Sequence, residues 1–213
     1  MHFMLEDATL PSITVRSDSA SAGDPFLALA LLDISPSMLE QDWTPSRLAA
    51  AIDAACRFVQ VAAQQNSRNR VAVVAFDRFA QIISPFVPAA DGELTARIRA
   101  ARTGSHTSIT AGLLAAETLF QTTPAEPATE RLILLLTDGA HNTGPEPYDV
   151  ATRLKRAGVR IQAVGIASEQ AVNAAMLRAL VSTRPDGRPA YRFIGDRQRL
   201  VEHCEWVARR LTL

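Results

Sequence analysis

Two aspartates and a set of hydroxyls carry the chemistry of this sequence. Asp33, Ser35 and Ser37 alternate in Asp33-Ile34-Ser35-Pro36-Ser37, directly after the apolar run Phe26–Leu32. Asp138 stands in Thr137-Asp138-Gly139, directly after Leu132–Leu136. A third source of hydroxyls is Gly104-Ser105-His106-Thr107-Ser108-Ile109, ahead of an amphipathic stretch. Where a chain turns out of a strand, Asp33, Ser35 and Ser37 can all face one concavity. Carboxylate and hydroxyl oxygens are what Mg2+ selects, whereas Zn2+ takes nitrogen and sulfur from His and Cys. Mg2+ keeps some of its water and needs few carboxylates, so two aspartates plus hydroxyls suit it, with Mn2+ or Ca2+ as substitutes. Taken alone, Asp and Ser after a strand more often cap a turn or helix. It is the agreement of three separated segments that points to a metal.

The elements that must position these groups follow from hydrophobic patterning. Apolar runs at Phe26–Leu32, Val71–Phe76, Leu132–Leu136 and Val159–Ile166, the last interrupted by Arg160 and Gln162, read as strands covered on both faces. Gln81–Phe86 follows the second run after a tight connection and reads as an antiparallel edge hairpin, and Tyr191–Ile194 as a weak last strand. Leu48, Ile52, Ala55, Val59 and Ala62 recur at helical spacing, with Pro45 placed in the first turn. Ile109, Leu113, Ala116 and Phe120 repeat the pattern, as do Val150, Leu154 and Ala157 before the helix stop Gly158. Leu200, Cys204, Val207 and Leu211 mark the last helix. This alternation predicts an α/β fold: a doubly wound, mostly parallel six-stranded sheet with one antiparallel edge strand and helices on both faces. Such sheets bind ligands outside the carboxyl ends of their strands, where Asp33 and Asp138 fall. Residues 1–24 read as an N-terminal arm and linker, and residues 25–213 as the single domain.

With the order of elements in hand, the motifs resemble the von Willebrand factor type A (vWA) domain, which is Rossmann-like. DISPS after the first strand, Thr107 before a helix and TDG after the fourth strand match its metal-ion-dependent adhesion site, D-x-S-x-S with a distant Thr and Asp. The resemblance implies Ser35, Ser37 and Thr107 as hydroxyl ligands, and Asp33 and Asp138 as ligands directly or through water. It implies an open coordination position that the Glu or Asp of a protein partner fills, and a last helix that shifts on ligation. Pro36 stands where the family usually has Gly. The metal needs side-chain oxygens from the neighbours of Pro36, so the site should survive. The stretch Ser37-Met38 to Asp42, then Pro45, Arg47 and Leu48, looks like the bacterial aerotolerance-type members. Those proteins carry flanking membrane helices, whereas the longest apolar run here stops at Asp33. Small members of the family work with an AAA+ ATPase or with kinase and phosphatase neighbours, which the likeness implies as partners.

Charge narrows the alternatives. The 213 residues carry 22 basic and 22 acidic side chains, so the net charge is zero, which argues against a broad basic nucleic-acid face and a polybasic membrane surface. No basic segment followed by an apolar stretch opens the sequence, so a cytoplasmic protein, monomeric when alone, is expected. Cys56 and Cys204 fall in helical stripes and read as buried, reduced thiols. Glu40 and Asp42 read as a solvated loop, and His106 and His141 as rim groups. Trp43 fits either an interface anchor or packing beneath the loop, and Asp77 a hairpin turn. The leading function is a metal-dependent protein-binding module and not an enzyme. The alternatives are a Mg2+-dependent phospho-aspartyl phosphatase using Asp33, and a scaffold with a vestigial metal site. The phosphatase lacks a second acid two residues after Asp33, where Ser35 stands, and a suitably placed lysine, since Lys155 is the sole one.

Overall fold

A strand whose side chains are all apolar needs cover on both faces, and β1 (Phe26–Asp33) has it: all eight residues are buried. The computed structural model describes residues 24–126, 129–139, 141–167 and 172–211. The expected N-terminal arm therefore lies, but for Asp24, outside the described residues. After β1 comes a single 3-10 turn (Pro36–Leu39), then α1 (Arg47–Gln65), β2 (Arg70–Phe76), β3 (Ala80–Pro88), α2 (Leu94–Arg99) and α3 (Ile109–Thr122). The second half holds β4 (Glu130–Thr137), α4 (Tyr148–Arg156), β5 (Val159–Ile166), α5 (Ala174–Leu180), β6 (Tyr191–Ile194) and α6 (Arg197–Arg210).

The six strands lie in the order β3-β2-β1-β4-β5-β6, and only the β2–β3 pair is antiparallel. The expected architecture is thus present, including the antiparallel edge. Side chains alternate between two cores. Ala28, Ala30 and Leu32 face α1 and α6, and Leu27, Leu29 and Leu31 face the α3–α4 layer. The α1 side is notably small-on-small: Ala28 and Ala30 share a core with Ala50, Ala51, Ala54 and Ala55. Small residues on both partners let the helix backbone approach the sheet. Cys56 and Cys204 are buried and free in that same core, as their stripes predicted.

Two details differ from the sequence reading. Pro45 does not sit in the first turn of α1; the helix starts at Arg47 and Ser46 caps it, its side chain accepting from the Ala49 N–H at 3.2 Å. Two short helices, α2 and α5, fall where six or seven residues were too few for a periodic signal. Among the described residues no helix is long and apolar enough to cross a membrane.

What matters for the site is the switch point. From β1 the chain moves outward to β2 and β3, then returns past β1 to β4 and outward the other way. The carboxyl ends of β1 and β4 are neighbours in register, Leu32 opposite Leu136. Loops leaving them in opposite directions open a crevice there.

Candidate functional site

Asp33 ends β1 inside that crevice with no exposed surface. Its carboxylate is fixed from two sides. Oδ1 accepts the Ser35 N–H at 2.8 Å, and Oδ2 accepts the Thr137 hydroxyl at 2.6 Å. Thr137 in turn accepts the Gly139 N–H at 2.9 Å. Gly139 has φ of 83°, which a side chain would strain, and a Cβ there would lie 2.9 Å from the Asn173 nitrogen. The TDG turn thus needs its glycine to bring Asp138 up beside Asp33. Burial first, and the Asp138 charge second, push the Asp33 pKa up to about 7, against the pull of the Ser35 and Thr137 hydrogen bonds.

The hydroxyls are gathered by the loops. Ser35 and Ser37 place their Oγ atoms 3.1 Å apart, and Ser35 is fully buried. Thr107, 1% exposed, is held through its backbone. Its N–H donates to Asn142 Oδ1 at 2.9 Å, and its carbonyl accepts the Asn142 N–H at 3.0 Å. Because Asn142 follows β4, this clamp ties the loop before α3 to the loop carrying Asp138. At its other end, the Gly104 N–H donates to the Ile34 carbonyl at 2.8 Å. Asp77 does turn the hairpin, accepting the Phe79 N–H at 2.9 Å, but it also accepts the Ser105 N–H at 2.8 Å. A Cβ on Gly104 would fall 2.0 Å from Asp77 Oδ2, so glycine lets that loop close.

Arg47 completes the arrangement and was missed as a site residue. Its side chain is buried at the first turn of α1. Nε and Nη2 grip Asp42 at 2.9 and 2.7 Å, and Nη2 also bonds Glu40. Nη1 reaches the Ser37 carbonyl at 3.4 Å and Asp138 Oδ2 at 3.5 Å. Glu40 and Asp42 are exposed to solvent as expected, but both also pair with this guanidinium, which leads from the loop to the site. A buried arginine demands such partners. The signals in the sequence were the acidic pair five and seven residues before it and its place in the stretch that resembles the aerotolerance-type members.

Of the five expected ligands, Asp33 lies beside Ser35 and Asp138, Ser37 touches Ser35, and Thr107 is tied by Asn142 to the loop that carries Asp138. Trp43 is buried beneath the loop. His106 is exposed on the rim, and His141 accepts the Ile109 N–H through Nδ1 at 3.2 Å. Among the described residues no three His, Cys, Asp or Glu side chains converge on a metal position. A cation here would rest on two carboxylates and hydroxyls, a donor set of hard oxygens that fits Mg2+ and not Zn2+. A divalent ion would also offset the two causes that raise the Asp33 pKa.

No curated protein matches the sequence significantly. Solved structures of the same fold are numerous. BatB from Bacteroides thetaiotaomicron superposes with a TM-score of 0.70 at 17% identity, over 87% of this chain and 98% of that one. The vWF domain of the type V pili tip protein Mfa5 from Porphyromonas gingivalis gives 0.73 at 16%, over 88% and 95%. A von Willebrand factor type A structure from Catenulispora acidiphila gives 0.69 at 19%, over 89% of this chain and 43% of that one. At these identities the likeness establishes the fold. The family profile for the von Willebrand factor type A domain matches residues 29–198, most of the sequence and every strand-end motif described above. With this match, the chain belongs to the von Willebrand factor type A domain family.

Proposed function

We propose that this chain is a metal-dependent protein-binding module and not an enzyme. Domains of this family commonly mediate protein–protein interactions. One observation carries the finer reading: a fully buried Asp33 carboxylate, disfavoured as an anion by burial and by Asp138, lies among oxygen donors only. Asp33, Ser35, Ser37, Thr107 and Asp138 would hold Mg2+, with Mn2+ or Ca2+ as substitutes. Once bound, the ion supplies an open coordination position for a Glu or Asp of a protein partner. The protein's own groups keep the donors in place. Thr137 and the Ser35 N–H orient Asp33, Asn142 fixes Thr107, and Arg47 ties the Ser37 loop to Asp138. A component of an AAA+ ATPase or of a kinase and phosphatase system would fit as partner.

The test is calorimetric titration of Mg2+ into the wild-type chain and into Asp33→Ala/Ser35→Ala. Wild type should release or absorb heat and melt at higher temperature with Mg2+. The double variant should do neither while keeping its circular dichroism spectrum, and should lose Mg2+-dependent partner binding. Silence from the wild type, or partner binding that survives both EDTA and the double variant, overturns the proposal. So does turnover of an acyl phosphate that is lost in Asp33→Asn.

A further inference from the structure

A second charged region lies at the far edge of the sheet. β6 is the last strand, paired with β5 along the Ala163–Ile166 register. Four arginines surround it: Arg178 on α5, Arg184 and Arg188 on the short hairpin before β6, and Arg192 in the strand itself. All four, with Tyr191 and Phe193, line one hollow of about 350 Å3. Asp186 is the only acid between residues 174 and 194, and it pairs with Arg184 at 3.2 Å. Among the described residues neither Arg188 nor Arg192 has an ion-pair partner. Arg178 lies over the Tyr191 ring, 5.3 Å from its centroid, so it is packed without being neutralised. Arg192 also borders an adjoining hollow of about 270 Å3 with His203 and Trp206. There Gln162 Oε1 is buried and, among the described residues, accepts no hydrogen bond.

These guanidinium groups outnumber the acids beside them, Asp186 and, in the hollow on the α6 side of Arg192, Glu202, so they repel one another and an anionic ligand relieves that. Carboxylates and phosphates both match the guanidinium fork. Nucleic acid, however, adds affinity by stacking bases on free aromatic faces. Here the aromatics already have partners: Arg178 covers Tyr191, Phe193 packs against the core, and Trp206 stacks on His203 and carries Arg210 at 4.5 Å. The charge is also local, since the chain as a whole is neutral. β6 is moreover the last strand of the sheet, and an extended peptide can add to such an edge through main-chain hydrogen bonds.

We propose that the β6 edge binds an acidic, extended segment of a protein partner, whose Asp or Glu side chains pair with Arg178, Arg184, Arg188 and Arg192. This contact is independent of the metal site and does not need it.

The experiment is fluorescence anisotropy in EDTA with a labelled peptide of about ten residues, the length of a long strand, in which Glu alternates with Val. Controls are the same peptide with Gln for Glu, and a thymidine single strand of matching charge. The acidic peptide should bind wild type and Asp33→Ala/Ser35→Ala alike, and weaken as salt rises. Arg188→Glu/Arg192→Glu should lose about tenfold or more, since reversal both removes attraction and adds repulsion. A melting curve checks the fold of that variant, and Arg188→Gln alone, a change at an exposed hairpin position, should give a smaller loss. Equal binding of the Gln peptide, an oligonucleotide that binds as tightly as the peptide, no binding by wild type, or indifference to charge reversal each overturns the proposal.

Discussion

The two charged regions of this domain treat charge in opposite ways. At the switch point Asp33 is wholly buried and Arg47 nearly so, and the polar atoms of both meet specific hydrogen-bond partners. At the β6 edge the arginines are exposed, and among the described residues only Arg184 has an ion-pair partner. The difference follows from solvation. A buried charge without partners is costly, so its neighbours must be fixed in advance, and the fold itself depends on them. An exposed charge is solvated by water, so it can wait for an external partner at almost no cost to the fold. Substitutions at the first region should therefore change the stability of the fold, and charge changes among the exposed arginines of the second only binding.

The largest expected effect is that of Arg47→Ala. It strands Asp42 and Asp138 without their cation, although water recovers part of this because Asp42 is 37% exposed and Glu40 58%. The expected loss is about 2–4 kcal/mol, a drop in Tm of roughly 5–15 °C by calorimetry. Arg47→Lys should rescue little, because a single ammonium cannot reproduce the forked grip on Asp42. Arg188→Ala, by contrast, should stay within about 0.5 kcal/mol. Equal effects from the two arginines would erase the distinction between the regions.

Next comes Asp33, whose charge opposes folding in the metal-free protein. Unfolded, the carboxyl loses its proton near 3.8; folded, near 7. Between these values the folded chain holds the extra proton, so stability from this group is lost as pH rises through the window and is gone above it. Asp33→Asn keeps the shape without the charge. In EDTA at pH 8 it should melt higher than wild type, by an amount on the order of 1–3 kcal/mol. That advantage should shrink steadily toward pH 5. With Mg2+ added, wild type should overtake the variant.

How much of this was legible in the sequence depended on how far each signal reached. The strands β1, β2 and β4 were plain because burial on both faces leaves nearly unbroken apolar runs, and β5 was readable although Arg160 and Gln162 interrupt it. So were Asp33, Ser35, Ser37 and Asp138, which sit at the ends of those runs. Arg47 was not legible as a site residue, since its partners Glu40, Asp42 and Asp138 meet it only when the loop folds back across the α1 terminus. The Asn142 clamp on Thr107 likewise joins two loops 35 residues apart. Along the chain Arg178, Arg184, Arg188 and Arg192 form no run or motif that marks them as a surface. They become a surface only when the hairpin before β6 doubles back beside α5.

The β6 region carries a titration of the opposite sign. Burial, with Arg192 second, pushes the His203 pKa down to about 4 from its ordinary 6.5. The unfolded chain then holds the extra proton between these values, so stability from this group is present above the upper one and lost as pH falls through the window. His203→Gln removes that loss. Its melting temperature relative to wild type should rise as pH falls from 7 to 5, where that of Asp33→Asn falls. Parallel trends in the two variants would mean that the regions do not titrate independently.

The smallest effect concerns the cause of that shift. If burial dominates His203 and the field of Arg192 is secondary, then Arg192→Gln should raise the imidazole pKa only partway. Followed by NMR, His203 in the variant should titrate above its wild-type value yet still clearly below 6.5. The imidazole has no ion-pair partner among the described residues, only the Trp206 ring stacked at 5.8 Å. A full return to the ordinary value would make Arg192 the controlling charge, and burial at this edge much shallower. No change at all would mean that solvent screens Arg192 completely. In that case the guanidinium cluster would project too weak a field inward, and its action would be confined to whatever docks on its outer side.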